Sequence, residues 1–423
     1  MQLRGLFADT TPLRNDHFRR LWVANIITVI GAQLTVVAVP AQIYAITGSS
    51  AYVGLTGLFG LVPLIVFGLW GGALADVVDR RTLLICTTVG LIATSACFWA
   101  QAALGLHNVW VLLALFSVQQ AFFAVNQPTR SAILPKLLST EELPAANSLT
   151  MTVFQAGGIA GPLVGGALIP ITGFSWLYLI DTCTLFATLS AVVRLPRLPV
   201  EGAAGTPGLR AVIDGLGYLR GHPVLLMSFL VDLIAMIFGM PRALFPQIAH
   251  VSFHGPAGGG IAFALLFAAI PLGAVIGGVF SGWVSRIQRQ GLAVVVAICV
   301  WGLAITGFGL AVGFAHRAPS LMLVLAVLML VIGGAADMAS AAFRMSMLQA
   351  SATDEVRGRL QGVFIVVVAG GPRIADVAHG SAAALVGTAA AAAGGGVLVV
   401  VGVVAAAIAV PVFVRYRLAA AGD

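Results

Sequence analysis

Residues 71–81 read GGALADVVDRR, and the placement of this short stretch decides the fold. On one side, Leu21 to Ala75 carries no acidic or basic side chain; on the other, Thr82 to Thr129 carries none other than histidine. About 20 apolar residues in helical form cross the hydrocarbon layer of a bilayer, so each run holds two spans. The stretch is therefore a tight, charged turn between the second and third spans. Only helices and closed barrels satisfy their own backbone groups in lipid, and runs this continuous lack the alternation of barrel strands. An all-α, polytopic membrane protein is expected.

Composition points the same way. The 423 residues are 60% hydrophobic and only 9% charged, with a mean hydropathy of +1.03. Soluble domains carry roughly 25% charged residues, which excludes an ordinary globular enzyme. A net charge of +7 would suggest nucleic acid in a soluble protein. Here it reflects the excess of basic residues in cytoplasmic loops, so no nucleic-acid partner is expected. The first twenty residues are polar and lack a cleavable signal pattern, which leaves the first span as an uncleaved anchor. Cys86, Cys97, Cys183 and Cys299 all fall within spans and read as packed thiols. Arginine outnumbers lysine 21 to 1, as in a GC-rich bacterial genome.

Twelve spans are expected, at 21–46, 52–75, 82–104, 109–130, 145–170, 174–194, 223–248, 258–284, 291–314, 320–346, 361–386 and 394–414. With both termini cytoplasmic, all of the 22 basic residues except Arg242, Arg317, Arg344 and Arg373 lie in cytoplasmic segments. A connector, 196–222, separates a bundle over 1–195 from a second over 223–423. Its first half is rich in Pro and Gly; its second places Leu209, Val212, Ile213, Leu216 and Leu219 at helical spacing, as in a helix lying on the inner leaflet. The halves echo one another. Gly71-Gly72 recurs as Gly277-Gly278 and Gly161-Pro162 as Gly371-Pro372, each roughly 210 residues on, which argues for a duplicated six-span unit.

Small residues and buried charges supply the candidate machinery. Gly157, Gly161, Pro162, Gly165 and Gly166 on span five let helices pack backbone to backbone around a proline kink. Gly273, Gly277, Gly278 and Gly282 on span eight form the strip expected to receive them. Charge at membrane depth faces a cavity or a partner. Asp232 lies roughly 15 Å into span seven, near the midplane; Arg242 follows between Pro241 and Pro246. Arg373, Asp376 and His379 share a face of span eleven, and Asp337 follows Gly333-Gly334 in span ten. Each reads either as a structural ion pair or as functional: Asp232, Asp337 and Asp376 as proton carriers, and Asp232, Arg242 and Arg373 as substrate ligands. Arg344 reads as snorkelling from the inner end of its span. Gln33, Gln119 and Asn126, with Gln42, Gln120 and Gln155, either bridge helices or line a pathway. No catalytic constellation, phosphate-binding loop or metal-ligand spacing appears, so no enzyme, cofactor or metal is expected.

Several stretches carry a family resemblance: VAVPAQIYAITGSSAYVGL (37–55), QPTRSAILPKLL (127–138), AAIPLGAVIGG (268–278) and MLQASATDEVRGRLQGVF (347–364). With the 71–81 loop they resemble the drug and siderophore exporter branch of the major facilitator superfamily. Gly72, Leu74, Asp76, Arg80 and Arg81 match that family's loop pattern, while Val77 and Asp79 depart from it. The resemblance implies two six-helix bundles related by pseudo-symmetry, and a gating latch of Gly72, Asp76, Arg80 and Arg81 against Arg357 and Arg359. It also implies that span five is an exporter's antiport motif and that Asp181, where related sequences often have an aspartate, is structural. Span four lacks the arginine many proton antiporters carry there. The expected function is export of a small organic molecule, a siderophore first, from the bacterial inner membrane by a proton-coupled monomer embedded in lipid. A multidrug antiporter of macrolide type is the alternative; a lipid flippase or a non-transporting sensor comes third.

Overall fold

The computed structural model describes residues 9–75, 78–196, 217–351 and 354–417, without the side chains of 69, 71–73, 75, 283, 285, 350, 351 and 354–369. Among the described residues there is no strand, and twelve long helices follow one another: α1 Asp16–Thr47, α2 Ser50–Ala75, α3 Arg80–Ala103, α4 Val109–Leu137, α5 Leu143–Thr172, α6 Phe174–Val193, α7 Pro223–Gly239, α8 Ile261–Val279, α9 Gln290–Gly313, α10 Pro319–Ser351, α11 Asp354–Val386 and α12 Thr388–Ala409. Each begins within or close to an expected span, and among the described residues eleven stretches, counting Pro223–Ser252 as one, are long and apolar enough to cross a membrane. The amphipathic helix expected around 209–219 lies largely outside the described residues.

The chain forms two units. The first comprises Met1–Val39 with Val62–Gly208, the second Pro40–Leu61 with Leu209–Asp423. The hairpin between the first two spans thus groups with the second half, where the backbone at Gly54 and Gly57 lies against the Asp376 and Arg373 carbonyls of α11.

In the first unit, Leu21, Leu84, Ile133 and Val192 meet at one end of α1, α3, α4 and α6. Asp79, which breaks the family's loop pattern, has a local task. Its carboxylate accepts from Thr82 N at 3.0 Å and Thr82 Oγ1 at 2.9 Å, capping α3. The small residues of α5 face α1: side chains at Gly157 and Gly161 would collide with Val29 and Gln33.

The strip on α8 meets α10 within the second unit. Gly273 and Gly277 sit against the α10 backbone at Val331 and Ala335, and Gly334 returns the contact at Ile270. Two helices inside one unit thus use the small faces to approach each other.

Span seven corrects another expectation. It is not one helix over 223–248; α7 stops at Gly239, a 3₁₀ turn covers Arg242–Leu244, and a π turn covers Ile248–Ser252. Pro241 has no N–H to give back to the preceding turn, and Pro246 repeats the loss, so the helical ladder cannot run through.

Candidate functional site

A broken helix inside a membrane needs other donors for the carbonyls it frees. His379 supplies one, and Trp301 adds a donor to the last turn before the break. Trp301 Nε1 on α9 donates to the Ala235 carbonyl at 3.3 Å. His379 on α11 meets the Phe238 carbonyl at 3.0 Å through Nε2; a carbonyl can only accept, so that nitrogen carries the hydrogen. His379 is 4% exposed and therefore clamps α11 to the end of α7.

Charges gather around this break. Asp232, 2% exposed, forms an ion pair with Arg344 of α10. Arg344 does not snorkel. Its side chain is 11% exposed and turns inward to the Asp232 carboxylate of α7. Asp337 sits two turns before Arg344 on α10, on the same face, within electrostatic reach of Arg344, Asp232 and Arg242. On α11, Arg373 and Asp376 lie one turn apart, and Arg242 is in reach of both. Arg242 itself is exposed, on the short turn that follows the break.

Three carboxylates and three guanidinium groups thus share one region of the second unit, held by α7, α10 and α11. Such an arrangement can exchange partners: a proton on one carboxylate, or an anion beside one arginine, frees the opposite charge to pair elsewhere. Arg242 and Arg373 can receive an anionic group, since guanidinium groups pair with oxyanions and stack on aromatic faces. Asp337 and Asp376 are partly accessible and can take up protons. Asp232 can do so only by giving up Arg344.

The other expected site residues lie in the first unit. Asn126, 8% exposed, donates through Nδ2 to Thr87 Oγ1 at 2.8 Å and Thr88 Oγ1 at 3.4 Å, bridging α4 to α3. Gln33 packs against Gly161. Gln119 is partly exposed on α4. Asp181, which hydropathy alone does not distinguish, is hydrogen-bonded through Oδ2 to Thr35 on α1 and Ser95 on α3. Sequence reasoning missed those partners, although threonine and serine at membrane depth are the visible signal.

Of the gating latch, Asp76 lies outside the described residues, as do the side chains of Gly72, Arg357 and Arg359. Arg80 and Arg81 reach backbone carbonyls, those of Ala132 on α4 and Val193 at the last turn of α6. A cation at a helix C-terminus is favoured by the helix dipole. Among the described residues, no group of His, Cys, Asp and Glu is arranged to hold a metal ion.

Residues 7–420 match the family described as Transmembrane secretion effector. An enterobactin exporter, EntS, of Shigella dysenteriae serotype 1 is 28% identical over 375 residues, covering 87% of this chain and 86% of that protein. The exporter of the same name from Citrobacter koseri is 28% identical over 379 residues, with the same coverage. Among solved structures, the nucleoside transporter NupG superposes with a TM-score of 0.71 at 12% identity, over 95% of this chain and 100% of that one. An inward-facing bacterial homologue of the iron transporter ferroportin gives 0.67 at 14%, over 94% and 98%. At such identities the likeness speaks for the fold alone.

Proposed function

Because this chain belongs to the Transmembrane secretion effector family of the major facilitator superfamily, we propose that it exports an anionic siderophore across the bacterial inner membrane. Transport is proton-coupled and proceeds by alternating access, in a monomer with both termini in the cytoplasm. The observation that carries the reading is the pairing of Arg242 and Arg373 beside Asp376 at the interrupted seventh span. Half-helix ends and charges at a break are where transporters of this type bind their cargo. A catecholate, planar and anionic, suits two arginines. The relatives named as enterobactin exporters support the same substrate class.

In this reading the substrate's negative charge draws Arg373 from Asp376; outside, the substrate leaves and a proton binds Asp376, and loss of that proton to the cytoplasm lets the carboxylate pair with Arg373 again. Asp337 offers a second acceptor. Gly72, Asp76, Arg80, Arg81, Arg357 and Arg359 stay in this reading as the gating latch of the cytoplasmic side. A multidrug antiporter for cationic drugs would use Asp232 and Asp337 as counter-ions. The Arg344 partner on Asp232 weighs against it.

The test is the medium of a deletion strain. Loss of a catecholate from the medium, with its accumulation inside, is expected on deletion; Arg373→Gln should export less than a tenth of the wild-type amount. Unchanged siderophore with new sensitivity to macrolides or dyes would replace this reading with the multidrug one.

A further inference from the structure

The first unit contains one ionisable group that the charged cluster of the second leaves unused. Asp181 sits on α6, 2% exposed. Its Oδ2 lies 2.7 Å from Thr35 Oγ1 and 3.0 Å from Ser95 Oγ, while its Oδ1 is buried without a hydrogen-bond partner. Among the described residues of the first unit, no positive charge answers it. From Leu21 onward α1 carries no Lys, Arg or His; nor do α5, the rest of α6, or α3 after Arg81. Arg80 and Arg81 are turned to the Ala132 and Val193 carbonyls. The other titratable groups on these helices are Tyr178, fully buried one turn away, Tyr44 further along α1, and Cys86, Cys97 and Cys183, which are exposed. None can be a counter-ion to a carboxylate.

An ionised Asp181 would therefore be an uncompensated charge at membrane depth, with one charged oxygen unsatisfied as well. The neutral acid fits every contact. Its Oδ2–H donates to Ser95 Oγ, and Ser95 then donates to the Tyr178 carbonyl, 3.4 Å away. Thr35 still donates to Oδ2, and Thr182 donates to the same Tyr178 carbonyl at 2.8 Å. The unpartnered Oδ1 becomes the carbonyl oxygen of an uncharged acid, which is far cheaper to bury bare.

We infer that Asp181 is a proton-binding site of the first unit, holding its proton while α1, α3 and α6 are packed together and releasing it to water when that seam opens. The seal is thin. A Cβ at Gly31 of α1 would lie 2.9 Å from the Asp181 Cα and 3.0 Å from Oδ1, so the bare α1 backbone covers the carboxyl group. A small separation of α1 from α6 admits water, and the acid then ionises. The release step rests on the transport reading; the bound proton does not.

Infrared difference spectroscopy of the full chain in lipid nanodiscs, wild type against Asp181→Asn, tests the bound proton. Expected at neutral pH is a protonated-carboxyl stretch that shifts in heavy water and is missing from the variant. A variant that loses only ionised-carboxylate bands overturns the inference. So does an acid band abolished when sodium replaces choline, which would make the seam a cation site. Should Asp181→Asn fail to fold, Asp181→Glu serves, since the acid band should move in frequency if it belongs to this residue and stay fixed if it does not. In proteoliposomes, siderophore-driven proton release read with an internal dye should fall to roughly half or less in Asp181→Asn; undiminished release overturns the release step. A wild-type protein that moves no siderophore refutes the exporter reading, and the infrared result still decides whether the proton is bound.

Discussion

Asp232 and Arg344 meet where water does not easily follow, so each is costly without the other. Removing one partner of a buried pair costs about 3–5 kcal/mol, because the survivor is left charged and alone. Asp232→Asn and Arg344→Gln should therefore each lower the unfolding temperature in detergent, and the double variant should be more stable than the sum of the two losses. Strict additivity in that cycle would show that the pair is not coupled. Asn126→Leu asks a different question. Thr87 also donates to the Leu83 and Leu84 carbonyls, so losing the amide should cost only about 1 kcal/mol and leave transport intact. A stable variant with transport reduced tenfold would instead place Asn126 on the pathway. The presence of these charges was legible in the sequence, since an aspartate in an apolar run stands out. The identity of the partner was not, because pairing between α7 and α10 depends on how the helices are rotated, and composition carries no record of rotation.

Helices show where such reading succeeds and where it stops. Long charge-free runs gave the number and order of the spans, because the bilayer imposes one length on all of them. Span seven escaped because its hydropathy is continuous from Pro223 to Ile248, while its hydrogen-bond ladder is not. Pro241 was visible, yet a proline inside a membrane helix can kink it or end it, and which happens depends on whether neighbours rescue the freed carbonyls. Here His379 meets the Phe238 carbonyl, and Trp301 adds a second donor to Ala235 in the last turn. Trp301→Phe keeps most of the ring but removes the donor to Ala235, and should destabilise by about 1–3 kcal/mol, read as a lower melting temperature. An unchanged melting temperature would mean that water already serves that carbonyl. On α5, Gly161→Leu should drive the helix away from Gln33 of α1 and abolish transport at normal expression, whereas Leu163→Ala on the exposed face should be nearly silent.

For the whole chain, the expectation of two matched halves rests on recurring Gly-Gly and Gly-Pro landmarks. They do not say what each glycine now faces; those on α8 face α10. Proton coupling is tested on everted vesicles. Asp376→Asn should transport down a siderophore gradient but lose most of the stimulation by an imposed pH difference, and equal stimulation would remove Asp376 from the coupling step. Lys136, exposed in the last turn of α4, is the single lysine in the chain. Apart from the terminal amine, the protein thus offers amine chemistry one handle. A dye that cannot cross lipid should colour inside-out vesicles and spare intact cells, reporting the sidedness of the entire chain without any engineered tag.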